Sequence, residues 1–167
     1  MTIQTLLEAL YATGLAAQIR ENEFAFPCIE SVHVLAVTLV VGSIAVLDLR
    51  LLGWASRDRL VSRLSADVLP VTWAAFGFAA LSGFLLFASN APKYLENPYF
   101  RGKLVLLALA GVNMLVFQLF VGRGLPAWDA QWPAPRAARV AALLSLVLWT
   151  LVVACGRWIG FTMLAGY

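Results

Sequence analysis

The sequence predicts an all-α integral membrane protein: a four-helix transmembrane bundle preceded by an amphipathic helix lying along the membrane surface. Three observations carry that expectation. First, 62% of the 167 residues are hydrophobic and only 13% are charged, whereas soluble domains hold roughly 45–50% apolar and about 25% charged residues. Second, the apolar residues gather in four long runs, each near the ~20 residues that cross a hydrocarbon core. Third, the basic residues lie between those runs, where they act as topology signals. The net charge of +3 therefore speaks of membrane orientation and excludes nucleic acid as the partner.

The elements follow in order. Over residues 1–24, Ile3, Leu6, Leu7, Leu10, Tyr11 and Leu15 recur at helical spacing opposite Gln4, Thr5 and Glu8. This is the pattern of a helix with one face in the interface. Arg20, Glu21, Asn22 and Glu23 break it. The first span is expected over 26–49, entered through Pro27, and the second over 69–88, entered through Pro70. Proline at a first helical turn costs little because its N–H would be unpaired anyway. The third span is expected over 103–121 and the fourth over 140–161, so that residues 25–167 form a single bundle. Trp54, Tyr94, Tyr99, Trp128 and Trp132 sit in the links, as interfacial aromatics do. Gly122, Gly124, Pro126, Pro133 and Pro135 punctuate the third link. The N-terminus carries Glu8 and no basic leader, so the first span is expected to insert uncleaved.

Arg50, Arg57, Arg59 and Arg63 follow span one, and Arg123, Arg136 and Arg139 follow span three. The opposite side holds Arg20, Lys93, Arg101 and Lys103. Basic-rich links face the cytoplasm. The expectation is a multi-pass protein of the bacterial inner membrane with both termini outside, on the periplasmic side.

One group stands out within the spans. His33 is the only histidine, and an ionisable residue in a membrane helix faces the protein interior and finds a partner or a ligand. Span one descends from the outer face, so Glu30 and His33 lie in its outer third. Span three descends as well, placing Arg101 and Lys103 at the same rim. Span four ascends to bring Cys155, Arg157 and Trp158 there. Glu30 and His33, three apart, share a helical face. The pair reads either as a core histidine oriented by a carboxylate or as a site. Arg157 reads either as a snorkelling side chain or as an anion clamp beside Lys103 and Arg101. Asp48 and Arg50 are expected to pair or to meet the arginine-rich link. Cys28 and Cys155 are too few for a disulfide framework and read as small buried residues or as soft copper ligands with His33.

The stretch Glu30-Ser31-Val32-His33, the small-residue run from Gly42 and Ser43, and the helix end Asp48-Leu49-Arg50 before Gly53 resemble a family of small bacterial four-helix membrane proteins of unknown function. Phe26-Pro27 and the amphipathic start fit it too. More distantly, the histidine in the first helix and the Lys103-Leu104 pair opening the third are similar to the copper-resistance protein D group and to HemJ-type protoporphyrinogen oxidases. The latter resemblance implies haem, with His33 as an iron ligand and Lys103 as a functional lysine; the former implies copper handling.

Two functions follow as expectations. One is a redox-linked protein binding haem b through His33, metal ligand at the outer end, with Lys103, Arg157 and Arg101 on the propionates and Glu30 beside the ring. With no second histidine, the sixth position would be open or filled by Met114, Met163 or another chain. The other is a cofactor-free membrane subunit or binding module for a lipid or quinone, within a homo-oligomer or a larger membrane complex. Copper through Cys28, His33 and Cys155 is a third reading. No Ser-His-Asp or paired-carboxylate arrangement points to hydrolysis.

Overall fold

The computed structural model describes residues 2–130 and 132–164. Among them no strand occurs, and four long helices are apolar enough to cross a membrane. The chain is a multi-pass, all-α membrane protein.

Where the periodicity predicts one surface helix, the structure has two, α1 (Ile3–Tyr11) and α2 (Gly14–Glu21). Thr13 makes the break. Its hydroxyl donates to the Leu10 carbonyl at 2.7 Å and accepts from the Ala16 amide at 3.3 Å, ending one helix and capping the next. Ile3 and Leu6 of α1 remain exposed, whereas Ala16 and Ile19 of α2 are buried. Arg20 ties this pair to the bundle. Its guanidinium lies 3.8 Å over the Tyr11 ring and donates to the carbonyls of Tyr11 and Ser89.

The spans are α3 (Ala25–Leu52), α4 (Val61–Ser89), α6 (Pro98–Val116) and α8 (Arg136–Leu164). A short α5 (Ala91–Glu96) joins α4 to α6. Beyond Val116, α6 runs on through a π-helical turn at Phe117–Val121 and a 3-10 turn into α7 (Leu125–Trp128). All four spans begin before their apolar runs, and α3, α4 and α8 also end beyond them, because residues at the membrane edge continue the helix. The largest difference is α4, which starts at Val61 and not near 69. Pro70 consequently lies inside the helix, its ring exposed, freeing one carbonyl a turn earlier.

That early start has a cause far away in sequence. Leu60 offers no side-chain cap. The Asp129 carboxylate, just past α7, accepts instead from the Ser62 amide at 2.8 Å and from the Ser62 hydroxyl. It thereby satisfies donors that the first turn of a helix leaves open.

Contacts link α3 to α4 and to α8, and α6 to α8, while α4 and α6 scarcely touch. Leu51, Val61, Trp128, Ala134, Ala138 and Ala142 form a small core at the arginine-rich end. Gly53 closes α3 with φ 73°, and the Trp132 ring packs so directly on it that a Cβ would sit 1.5 Å from the ring. Asn113 donates across the bundle to the Ala141 carbonyl at 3.0 Å, joining α6 to α8 where the bilayer offers no competing partner.

Although desolvation opposes ionisation of Asp129, hydrogen bonds from the Ser62 hydroxyl and from the Ser62 and Val61 amides, with the charge of Arg50, hold its carboxyl below the usual range. A carboxyl lowered on folding stabilises the fold above its unfolded pKa, and that contribution disappears as pH falls through its folded pKa. Asp129→Ala is expected to cost about 1 kcal/mol, the usual value of a helix cap, measured by denaturant unfolding in detergent at neutral pH. The difference from wild type should vanish in acid; a difference that persists there contradicts the capping role.

Candidate functional site

The site is assembled at the end of the bundle where α3 and α6 begin and α4 and α8 finish. Up-and-down connectivity brings these four helix ends to one level. α3 supplies His33. Its Nδ1 lies 3.0 Å from the Ala79 carbonyl and 3.1 Å from the Ser82 hydroxyl oxygen, both on α4. The Ser82 hydroxyl proton is already committed to the Phe78 carbonyl at 2.6 Å, so both neighbours accept. Nδ1 therefore carries a proton, and in the neutral ring Nε2 carries the lone pair. Nε2 takes no hydrogen-bond partner among the described residues.

The ring can lie this close to α4 because residue 83 is glycine. A Cβ there would stand 2.9 Å from His33 Cε1 and 3.3 Å from Nδ1, inside van der Waals contact. The service of Gly83 to the imidazole is visible only in three dimensions.

Lys103 reaches the same region from α6. The start of that helix is fixed by Asn97, whose carbonyl oxygen accepts from the Tyr99 and Phe100 amides while its Nδ2 donates to Thr162 on α8 at 2.7 Å. This clamp sets the register of α6 against α8. It leaves the Lys103 ammonium 3.6 Å from the position of a Cβ on Gly156, and Cys155 Sγ 3.9 Å from that of a Cβ on Gly102. Lys103 is only partly exposed, and its charge acts on His33 and is itself felt alongside Cys155. Lys103 and Cys155 thus meet where α6 packs on α8, and the charge of Lys103 is felt at His33 on α3.

An aromatic cluster stands above. Phe87 stacks on Phe100 with ring centroids 5.4 Å apart, and Tyr94 of α5 meets the Phe100 ring at 5.4 Å. Burial, and then the charge of Glu30, push the Tyr94 phenol above its ordinary pKa. Glu30 itself is exposed and takes no hydrogen bond from His33, whose Nδ1 is turned to α4. The shared helical face brings the two to one side of α3 but does not make them partners.

The remaining candidates lie apart. Arg157 is exposed with its guanidinium 4.5 Å over the Phe161 ring, and Arg101 is exposed as well. Met114, also exposed, is about 16 Å further along α6 than Lys103 at ~1.5 Å per residue. Cys28 is exposed and lines a lipid-facing groove between α3 and α4 with Ile29, Val32, Phe78, Leu81, Ser82 and Leu85. Among the described residues no three His, Cys, Asp or Glu side chains gather as a metal site. A haem fits in one respect: an imidazole whose Nδ1–H donates to a backbone carbonyl presents Nε2 as ligating histidines do.

A model of a family of unknown function, DUF6644, matches residues 23–162, which include all of α3, α4 and α6 and nearly all of α8. No curated protein and no solved structure matches the chain.

With a single histidine, imidazole-selective 15N labelling reports one ring. The neutral ring is expected to show a protonated Nδ1 and an unprotonated Nε2, and Gly83→Ala is expected to move both resonances by pushing the ring off α4. The opposite tautomer, or a Gly83→Ala spectrum identical to wild type, contradicts this geometry.

Proposed function

Because the chain belongs to the DUF6644 family, whose function is unknown, its activity has to be read from this site, and we propose that it is a membrane-embedded binding module for a lipophilic molecule with a hydroxyl-bearing ring, a quinol being the class that fits best. The observation that carries the reading is the divided state of His33. Nδ1 is held by α4, while Nε2 is left as an acceptor on a ring that feels the Lys103 charge. A phenolic O–H would donate to Nε2. Lys103 would stabilise negative charge on the oxygen as the proton leaves, since an ammonium in a low-dielectric site acts more strongly than in water. The Phe87, Tyr94 and Phe100 rings would meet the headgroup. The groove past Ser82, almost wholly apolar, would take its hydrocarbon tail.

We read the arginine-rich end as cytoplasmic, which puts the His33 site in the outer leaflet of a bacterial inner membrane. Arg50, Arg57, Arg59, Arg63, Arg123, Arg136 and Arg139 support that orientation. Haem b remains a second reading because of the Nδ1–H to carbonyl arrangement alone. His33 would then hold iron and Lys103 a propionate.

Purified protein in mild detergent separates these. Short-chain quinol binding, followed by quenching of tryptophan fluorescence, is expected to weaken at least tenfold in His33→Ala and in Lys103→Met, a loss of about 1.4 kcal/mol each, and to change little in Arg157→Ala. Equal binding by all three variants overturns the quinol reading. A Soret band abolished by His33→Ala would move the assignment to haem.

A further inference from the structure

At the other end of α3, about 22 Å from His33 at ~1.5 Å per residue, two charged side chains are buried without pairing. Asp48 is 6% exposed and Arg50 1%. Residues two apart on a helix point in diverging directions, so they cannot meet. Arg50 turns toward the link, where its Nε donates to the Arg59 carbonyl at 2.7 Å, leaving Nη1 unpartnered. Asp48 continues the core-facing row of Ala36 and Val40 at four-residue spacing, and its Oδ2 is buried with no partner. Among the described residues, the hydroxyl of Ser145 on α8 is the hydrogen-bonding group found for its carboxyl.

The other charged groups on neighbouring elements do not compensate it. α8 carries Arg136 and Arg139, both exposed, one to three turns nearer the membrane edge. α4 carries Arg63 and Asp67, exposed too. A carboxylate sealed between membrane helices with one neutral neighbour and one bare oxygen is among the costliest groups a protein can hold, while the protonated acid is tolerated there.

We infer that Asp48 is a proton-binding site: it holds a proton as the neutral acid between α3 and α8, and losing that proton requires water to reach Oδ2 by parting those helices at the arginine-rich end. The site is independent of His33 and of any ligand there. It couples one proton to the packing of the two helices that also flank the small core of Leu51 and Ala142.

Apolar carbodiimides add to protonated carboxyls and ignore carboxylates, which gives a direct test on the intact protein in detergent. Asp48 is expected to be modified by dicyclohexylcarbodiimide at neutral pH, where ordinary water-exposed carboxylates do not react. Labelling is expected to fall about tenfold per pH unit once the site deprotonates, and to be absent in Asp48→Asn. That variant is isosteric with the acid and is expected to unfold at or above the wild-type temperature. Failure to label folded wild type, when Asp48 labels in denaturing detergent at acid pH, overturns the proposal. So does protection by sodium ions at constant pH, which would make the site a metal-cation site.

Discussion

An imidazole between two membrane helices has to satisfy each of its nitrogens without help from water. In this bundle the constraint is met on one side only: Nδ1–H reaches the Ala79 carbonyl and the Ser82 hydroxyl oxygen across the α3–α4 contact. Much of the local sequence serves that arrangement. Ser82 gives its own proton back to the Phe78 carbonyl and so stays an acceptor. Gly83 removes the Cβ that would collide with the ring. The tautomer fixed in this way decides that the free nitrogen is a base, and hence what kind of group a ligand must present.

The second requirement is register. α4 and α6 scarcely touch, and α5 with its aromatic neighbours spans the distance between them. Lys103 therefore reaches the site by way of α8, through the Asn97 clamp on Thr162. The cation's position depends on a hydrogen bond between residues outside the site, so a change at Asn97 would disturb the site without touching it. At the far end Asp129 has the same relation to α4, capping a helix whose own sequence supplies no cap.

The four spans were legible because a bilayer admits few solutions: long apolar runs must be helices, and alternating direction then puts His33, Lys103 and Cys155 at one depth. Depth follows from counting, but direction does not. Arg157 and Arg101 share the level of His33 and still face outward. Glu30 shares its helical face but is exposed, and its charge is felt at Tyr94. The start of α4 was misread because Pro70 looks like an entry proline, whereas the cap that fixes the true start is 67 residues away from Ser62. The split between α1 and α2 rests on the Thr13 hydroxyl, which a purely hydrophobic periodicity passes over. Asp48 and Arg50 were expected to pair or to meet the arginine-rich link; helical geometry turns them apart, and Arg50 meets the link through the Arg59 carbonyl.

The central claim is that three spans converge on His33, and its most exposed link is the α6–α8 register that delivers Lys103 beside Cys155. A Cβ on Gly102 would lie 3.9 Å from Cys155 Sγ, within reach of a disulfide after a small side-chain shift. In a Cys28→Ser background, Gly102→Cys is expected to cross-link to Cys155 within the monomer under mild oxidation, while Gly111→Cys, whose Cβ would meet nothing within 4 Å, is not. Two thiols at 102 and 155 that both react with a small alkylating reagent but never with each other would contradict the register, and with it the site.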